Sequence, residues 1–132
     1  VPPGFILMFN DKPYILKEGM LWKLREHGFR SVETEIAEAK DGGYEATCRI
    51  YPRFRKEDYD LLHQVAELKD KDMFNEVFKE LMRPTVAHAT ANDKNLKENQ
   101  KRYPKEMAET RAVLRAARVF TGCGLATPEE AD

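Results

Sequence analysis

The stretch FRSVETEIAEAKDGGYEATCRIY, residues 29–51, decides the fold. Within residues 29–39, Val32, Thr34 and Ile36 point one way while Glu33 and Glu35 point the other. That two-residue period is the mark of a half-buried strand. Asp41-Gly42-Gly43 follows as a hairpin turn, because such turns need residues that accept positive φ. The return strand, Tyr44 to Tyr51, sets Ala46, Cys48 and Ile50 on one face and Glu45, Thr47 and Arg49 on the other. Pro52 ends it, having no N–H to give to a ladder.

One apolar face of a hairpin needs cover, and both flanks of the chain supply candidates. Upstream, FILMF (5–9) and YIL (14–16) around Asn10-Asp11-Lys12-Pro13 read as strand, turn, strand. Lys17 to about His27 forms an amphipathic helix carrying Met20, Leu21 and Leu24, and Gly28 closes it. Downstream, residues 56–82 keep a helical period through Tyr59, Leu62, Val65 and Ala66, then Phe74, Val77, Phe78 and Leu81. Asp70-Lys71-Asp72 divides this segment into two helices, with an aspartate capping the second. Pro84 stops it, and TVAHATA (85–91) makes a third strand of small side chains. Residues 92–103 are polar and read as a loop or weak helix. Pro104 opens the last helix, Glu106 and Glu109 suit its positive N-terminal end, and Gly122 and Gly124 stop it near Thr121. Residues 122–132 are expected to be a flexible tail. The fold expected is therefore a single α+β domain over 1–132, with an antiparallel sheet of hairpins plus a third strand. Helices pack mainly on one face, and residues 56–82 form a helical insertion.

Composition narrows the function. Apolar residues at 42% and aromatics at 10% exclude a disordered chain. Twenty-two basic residues against 23 acidic ones give a net charge of −1, which excludes a globally basic nucleic-acid binder but not a locally basic one. No apolar run has the length of a membrane span. Cys48 and Cys123 have no Cys-x-x-Cys spacing and suit a reducing compartment, so a cytoplasmic location is expected; a disulfide between them is the minor alternative. His27, His63 and His88 share no short spacing that would hold zinc. Asp70, Asp72 and Asp93 are better read as helix caps than as ligands of a divalent ion. His88 reads as structural, and Cys123 has no neighbouring histidine to activate it. Phosphate-loop and dinucleotide glycine patterns are missing. No catalytic residue, cofactor or metal is assigned, and the chain is not expected to be an enzyme.

Charge placement is the functional signal. Arg111, Arg115 and Arg118 fall within about 60° of one another around the last helix. Three planar guanidinium forks in one stripe suit phosphates. Lys94, Lys97, Lys101, Arg102 and Lys105 precede them, and only Glu98, Glu106 and Glu109 oppose, so residues 94–118 carry +5 and the remainder −6. A second set, Arg49, Arg53 and Arg55, interleaves with Tyr51 and Phe54 in RIYPRFR, as a single-strand surface would. Each has a plainer reading. The stripe can pair with Glu33, Glu35 or Glu38 across a domain or subunit contact, and RIYPRFR can be a strand end with solvated arginines.

Three stretches carry a family resemblance. PKEMAETRAVLRAARVFTGCGLATPEE (104–130) resembles the terminal helix of phage and prokaryotic single-strand annealing proteins, a recombination-mediator superfamily that includes the Erf-type phage proteins. GFILMFNDKPYILKEGMLWKLREHGFRSVETEI (4–36) is similar to the opening of uncharacterised relatives, and VAHATANDKNL (86–96) to the segment before that helix. The resemblance implies ATP-independent binding of single-stranded DNA and annealing of complementary strands. It also implies assembly into rings or helical filaments, with DNA in an outer basic groove. Arg111 and Arg115 match the family helix, and the motif leaves open whether they face DNA or hold the fold. The segment 56–82 departs from the pattern, as does the low net charge. The function expected is strand annealing in homologous recombination and DNA repair. The alternative is a protein–protein or oligomerisation module without DNA contact.

Overall fold

The computed structural model describes residues 3–9 and 12–130. Its strands are β1 (Ile6–Phe9), β2 (Lys12–Ile15), β3 (Ser31–Glu38), β4 (Tyr44–Tyr51) and β5 (Thr85–Ala91). Its helices are α1 (Lys17–His27), α2 (Lys56–Glu67), α3 (Lys71–Met82) and α4 (Pro104–Thr121), joined by short 3-10 turns. The fold is α+β, as the sequence indicates, but the strands make two antiparallel sheets. β1 and β2 form a separate hairpin, and the main sheet runs β3-β4-β5. Lys12 and Pro13 belong to β2 and not to the turn; Asn10 and Asp11, the rest of the expected turn, lie outside the described residues.

The main sheet follows the period-2 reading. β3 and β4 pair from Ser31↔Tyr51 to Glu38↔Tyr44, and β4 and β5 pair from Tyr44↔Ala91 to Ile50↔Thr85. Ala46, Cys48, Ile50, Ala89 and Ala91 are buried on one face. α4 lies across them with Ala108, Ala112 and Ala116, one residue per turn, also buried. Alanine against alanine lets the helix backbone come close to the sheet, so contact comes from proximity rather than from large side chains. α1 packs beside α4 and completes the core with Met20 and Leu24. Gly43 makes the turn possible twice over. Its φ is +78°, and a Cβ there would run into the Ala91 carbonyl and Asn92.

One expectation needs correction. The stretch after Gly122 is not a loose tail as far as residue 130. Ala126 O accepts from the Ile15 N–H at 3.0 Å, Thr127 is fully buried, and Pro128–Glu130 form a 3-10 turn. Ala131 and Asp132 lie outside the described residues. The 56–82 insertion is two helices, with Asp70 accepting from Met73 N–H at 3.1 Å as the expected cap. The helices pack on each other and project as an arm, in which Val65 is the one buried side chain among the described residues. Both cysteines are free. No helix among the described residues is long and apolar enough to cross a membrane.

Replacing Gly43 with alanine should destabilise the protein by about 1–3 kcal/mol, since strained φ and steric collision act together; the midpoint of urea unfolding measures it. A second outcome follows from Cys48. Burial pushes its thiol up to about 11, Glu109 adding to the effect and Arg49 opposing it. Between pH 9 and 11 the unfolded chain therefore loses this proton while the folded chain keeps it, so this contribution is intact below pH 9 and falls as pH rises. Cys48→Ala should flatten the loss of stability across that window, read by urea unfolding at stepped pH.

Candidate nucleic-acid interface

The arginine stripe of α4 exists, and it faces the protein itself. Arg111 is 2% exposed. Its Nε donates to Glu129 O at 2.9 Å, Nη1 to Thr90 O and Asn95 Oδ1, each at 2.9 Å, and Nη2 to Asn95 O at 2.8 Å. Arg115 Nη1 donates to His88 O at 3.0 Å. Arg118 Nη2 sits 3.1 Å from Glu130 Oε1, and Glu130 Oε2 accepts from both Thr127 N–H and Thr127 Oγ1.

Strand geometry explains the first two. The Ala39 N–H donates to Gly43 O at 3.1 Å, one step beyond the pair Glu38↔Tyr44. Bonded residues alternate along an antiparallel ladder. The odd-numbered residues of β3 therefore bond to β4, the even-numbered residues of β4 bond to β5, and in β5 the even-numbered residues point off the sheet. His88 and Thr90 are two of these. Alternate carbonyls on a strand are about 6.6 Å apart, and residues one helical turn apart rise about 6 Å. Arg111 and Arg115 match that spacing and take two outward carbonyls on the free edge of β5. The stripe read from the sequence as suited to phosphates is thus turned inward: Arg111 is enclosed, and Arg115 and Arg118 are engaged by main chain and by a buried carboxylate. Glu33, Glu35 and Glu38, the partners considered for them, lie elsewhere.

The other basic residues fall at two ends of the sheet. Lys94, Lys97, Arg102 and Lys105 are exposed where the chain leaves β5, beside the Tyr44↔Ala91 pair. Lys101 Nζ pairs with Glu98 at 3.1 Å. Leu96 is buried, and Asn92 Oδ1 accepts from the Lys94 and Asn95 N–H groups, which hold this loop to the body. The RIYPRFR set lies at the far end of β4, eight residues along, or roughly 25 Å away at strand rise. The two sets do not share one groove.

At that second corner the side chains converge. Arg49 crosses to Glu35 on the open face of the sheet at 3.1 Å. The Arg30 guanidinium lies over the Tyr51 ring, 5.3 Å from its centre. Arg53 packs against Gly28, whose φ of +82° and missing Cβ leave it room. Arg55 Nη2 donates to His27 O at 3.2 Å, at the negative end of α1. Phe54 meets Tyr59 and Phe78 edge-on, with centroids 5.6 and 5.8 Å apart, and Tyr59 is 54% exposed. Arg30, Arg53 and Arg55 are exposed, and no ion pair engages them among the described residues.

Sequence reasoning missed Arg30, Tyr59 and Phe78 at this corner. Extending the hairpin register one step past Ser31↔Tyr51 finds Arg30; the two rings come from the arm and have no local signal. His88 hydrogen-bonds Thr47 Oγ1 at 2.9 Å on the open face, whereas Cys123 packs against the core, so the two do not meet. No group of three metal-ligating side chains occurs among the described residues. The chain matches no family model, and neither curated proteins nor solved structures give a match.

Arg111→Ala should destabilise the protein by about 2–4 kcal/mol, because it leaves several buried acceptors without a donor. Arg115→Ala, at a more accessible site, should cost about 1 kcal/mol. Denaturant unfolding of both variants measures the difference.

Proposed function

We propose that this chain binds single-stranded DNA without sequence preference and without ATP, and that it acts in strand annealing during recombination and repair. The observation that carries the reading is the corner where Arg30, Arg53 and Arg55 stand exposed beside Tyr51, Phe54 and Tyr59. Guanidinium groups meet the backbone phosphates while bases stack on the rings, a contact that every base can make. Lys94, Lys97, Arg102 and Lys105 form a second phosphate-facing set at the other end of the sheet. A strand gripped through its phosphates with its bases on the rings is held extended, which is the state annealing needs. Annealing makes and breaks no covalent bond, so no catalytic residue is required. The motif resemblance to single-strand annealing proteins supports the same activity.

One near-neutral domain gives modest affinity, and several copies along one strand would multiply it. The arm favours such association, because Tyr59, Leu61, Leu68, Met73 and Phe78 are each at least 39% exposed on it. That exposure also favours the second reading, an interaction module without DNA contact.

A labelled oligo-dT titrated by fluorescence anisotropy at several salt concentrations separates the two. Binding should weaken steeply with salt. Arg53→Ala with Arg55→Ala should lower affinity about tenfold and reduce the salt slope by about 1.4, the share of two phosphates on a single strand. Unchanged binding by the folded double variant rejects the corner, and no binding by the native protein at low salt favours the interaction module.

A further inference from the structure

The two edges of the main sheet are treated differently. On β5, Arg111 and Arg115 occupy the outward carbonyls at Thr90 and His88. β3 is the opposite edge. The alternation that turns His88 and Thr90 outward also turns the backbone of Val32, Thr34 and Ile36 away from β4. No hydrogen bond engages those groups among the described residues. β3 is eight residues long, carries no proline, and has exposed Glu33, Thr34 and Glu35 with half-buried Val32 and Ile36. Natural edges of this length are usually covered, broken or blunted by charge.

The side chains say what would fit. On the open face, beside β3, stand Glu33, Glu35 and Glu45, with Arg49 held by Glu35. On the core face stand Val32 and Ile36. A second β3 is disfavoured. Antiparallel pairing that keeps both core faces on one side sets Glu33 against Glu35, or Glu35 against itself, and like charges directly opposite are destabilising. An added strand with lysine or arginine at alternate positions and apolar residues between them meets the carboxylates on one face and Val32 and Ile36 on the other.

We propose that β3 is a strand-addition site for an extended, alternately basic segment of a partner protein. Main-chain bonds to Val32, Thr34 and Ile36 supply the affinity, and Glu33 and Glu35 select the partner's charge. This site adjoins Arg30 at one end of β3 but uses none of the arginines of the DNA reading and does not depend on it.

The test uses the full chain and three short labelled peptides, read by anisotropy at low salt. One alternates lysine with valine, one alternates glutamate with valine, and one repeats the first with N-methyl groups on the amides that would face β3. The lysine peptide should bind at least about tenfold more tightly than the glutamate peptide, since specificity here is a difference of charge pairing. N-methylation should abolish binding. Thr34→Pro should abolish it too while leaving the circular dichroism spectrum unchanged, because the Thr34 N–H points off the sheet and a proline there removes no ladder bond. Glu33→Lys with Glu35→Lys should reverse the peptide preference and serves as the check should the proline variant misfold. No binding of the lysine peptide overturns the proposal. Equal binding of the N-methylated peptide also overturns it, since the contact would then be charge attraction without strand pairing.

Discussion

The buried guanidinium of Arg111 is the constraint on which the arrangement turns. It ties α4 to the end of β5 at Thr90, to the loop just after it at Asn95, and to the C-terminal segment at Glu129. A guanidinium has five N–H donors in a fixed plane and no acceptor, so it can close several carbonyl groups at once from one direction. Burying that charge is tolerable only because oxygen atoms surround it. The Asn95 side chain is used on both sides. Its Oδ1 accepts from Arg111 and from the Asn92 N–H, and its Nδ2 donates to Thr90 O and Oγ1. Through this one cluster, α4 is fixed in register along β5 and the terminal segment is drawn over α4.

That placement accounts for how much was legible beforehand. The 31–51 hairpin is local: its period of two and its Asp-Gly-Gly turn are properties of neighbouring residues, and the register follows from them. The ends of α4 are local as well, Pro104 at its start and Gly122, with φ of +70°, at its close. The role of the arginines is not local. A helical wheel tells which residues share a face, but not what the face meets. Residues one turn apart match the alternate carbonyls of an extended strand, and successive phosphates on a nucleic acid present acceptors in a similar row. Identical spacing therefore supports two opposite conclusions until the neighbouring strand is known.

The order of the terminal segment is hard to read from the sequence for a related reason. Its acidic residues suggest solvent, yet Thr127-Pro128-Glu129-Glu130 contains the spacing of a capping box, and Glu130 does accept from the Thr127 N–H at 2.7 Å. That local signal was available. What the sequence does not carry is Arg118, whose proximity makes a buried Glu130 carboxylate acceptable.

Once the stripe is assigned to the interior, the rest of the charge pattern changes meaning. The segment 94–118 looks strongly basic only when its helix arginines are counted as surface. Without them, the exposed cations divide between two ends of the sheet, and the corner at Arg30, Arg53 and Arg55 gains weight because its rings are beside it. The same bonds that withdraw Arg111 and Arg115 from solvent also decide which edge of the sheet is open. α4 sets its arginines on the outer backbone of β5 and leaves that of β3 without a bond among the described residues, so the acidic alternation of β3 lies at the edge where another strand can still pair. The groups this scaffold leaves open to a partner are therefore set less by the longest basic run than by how one helix docks.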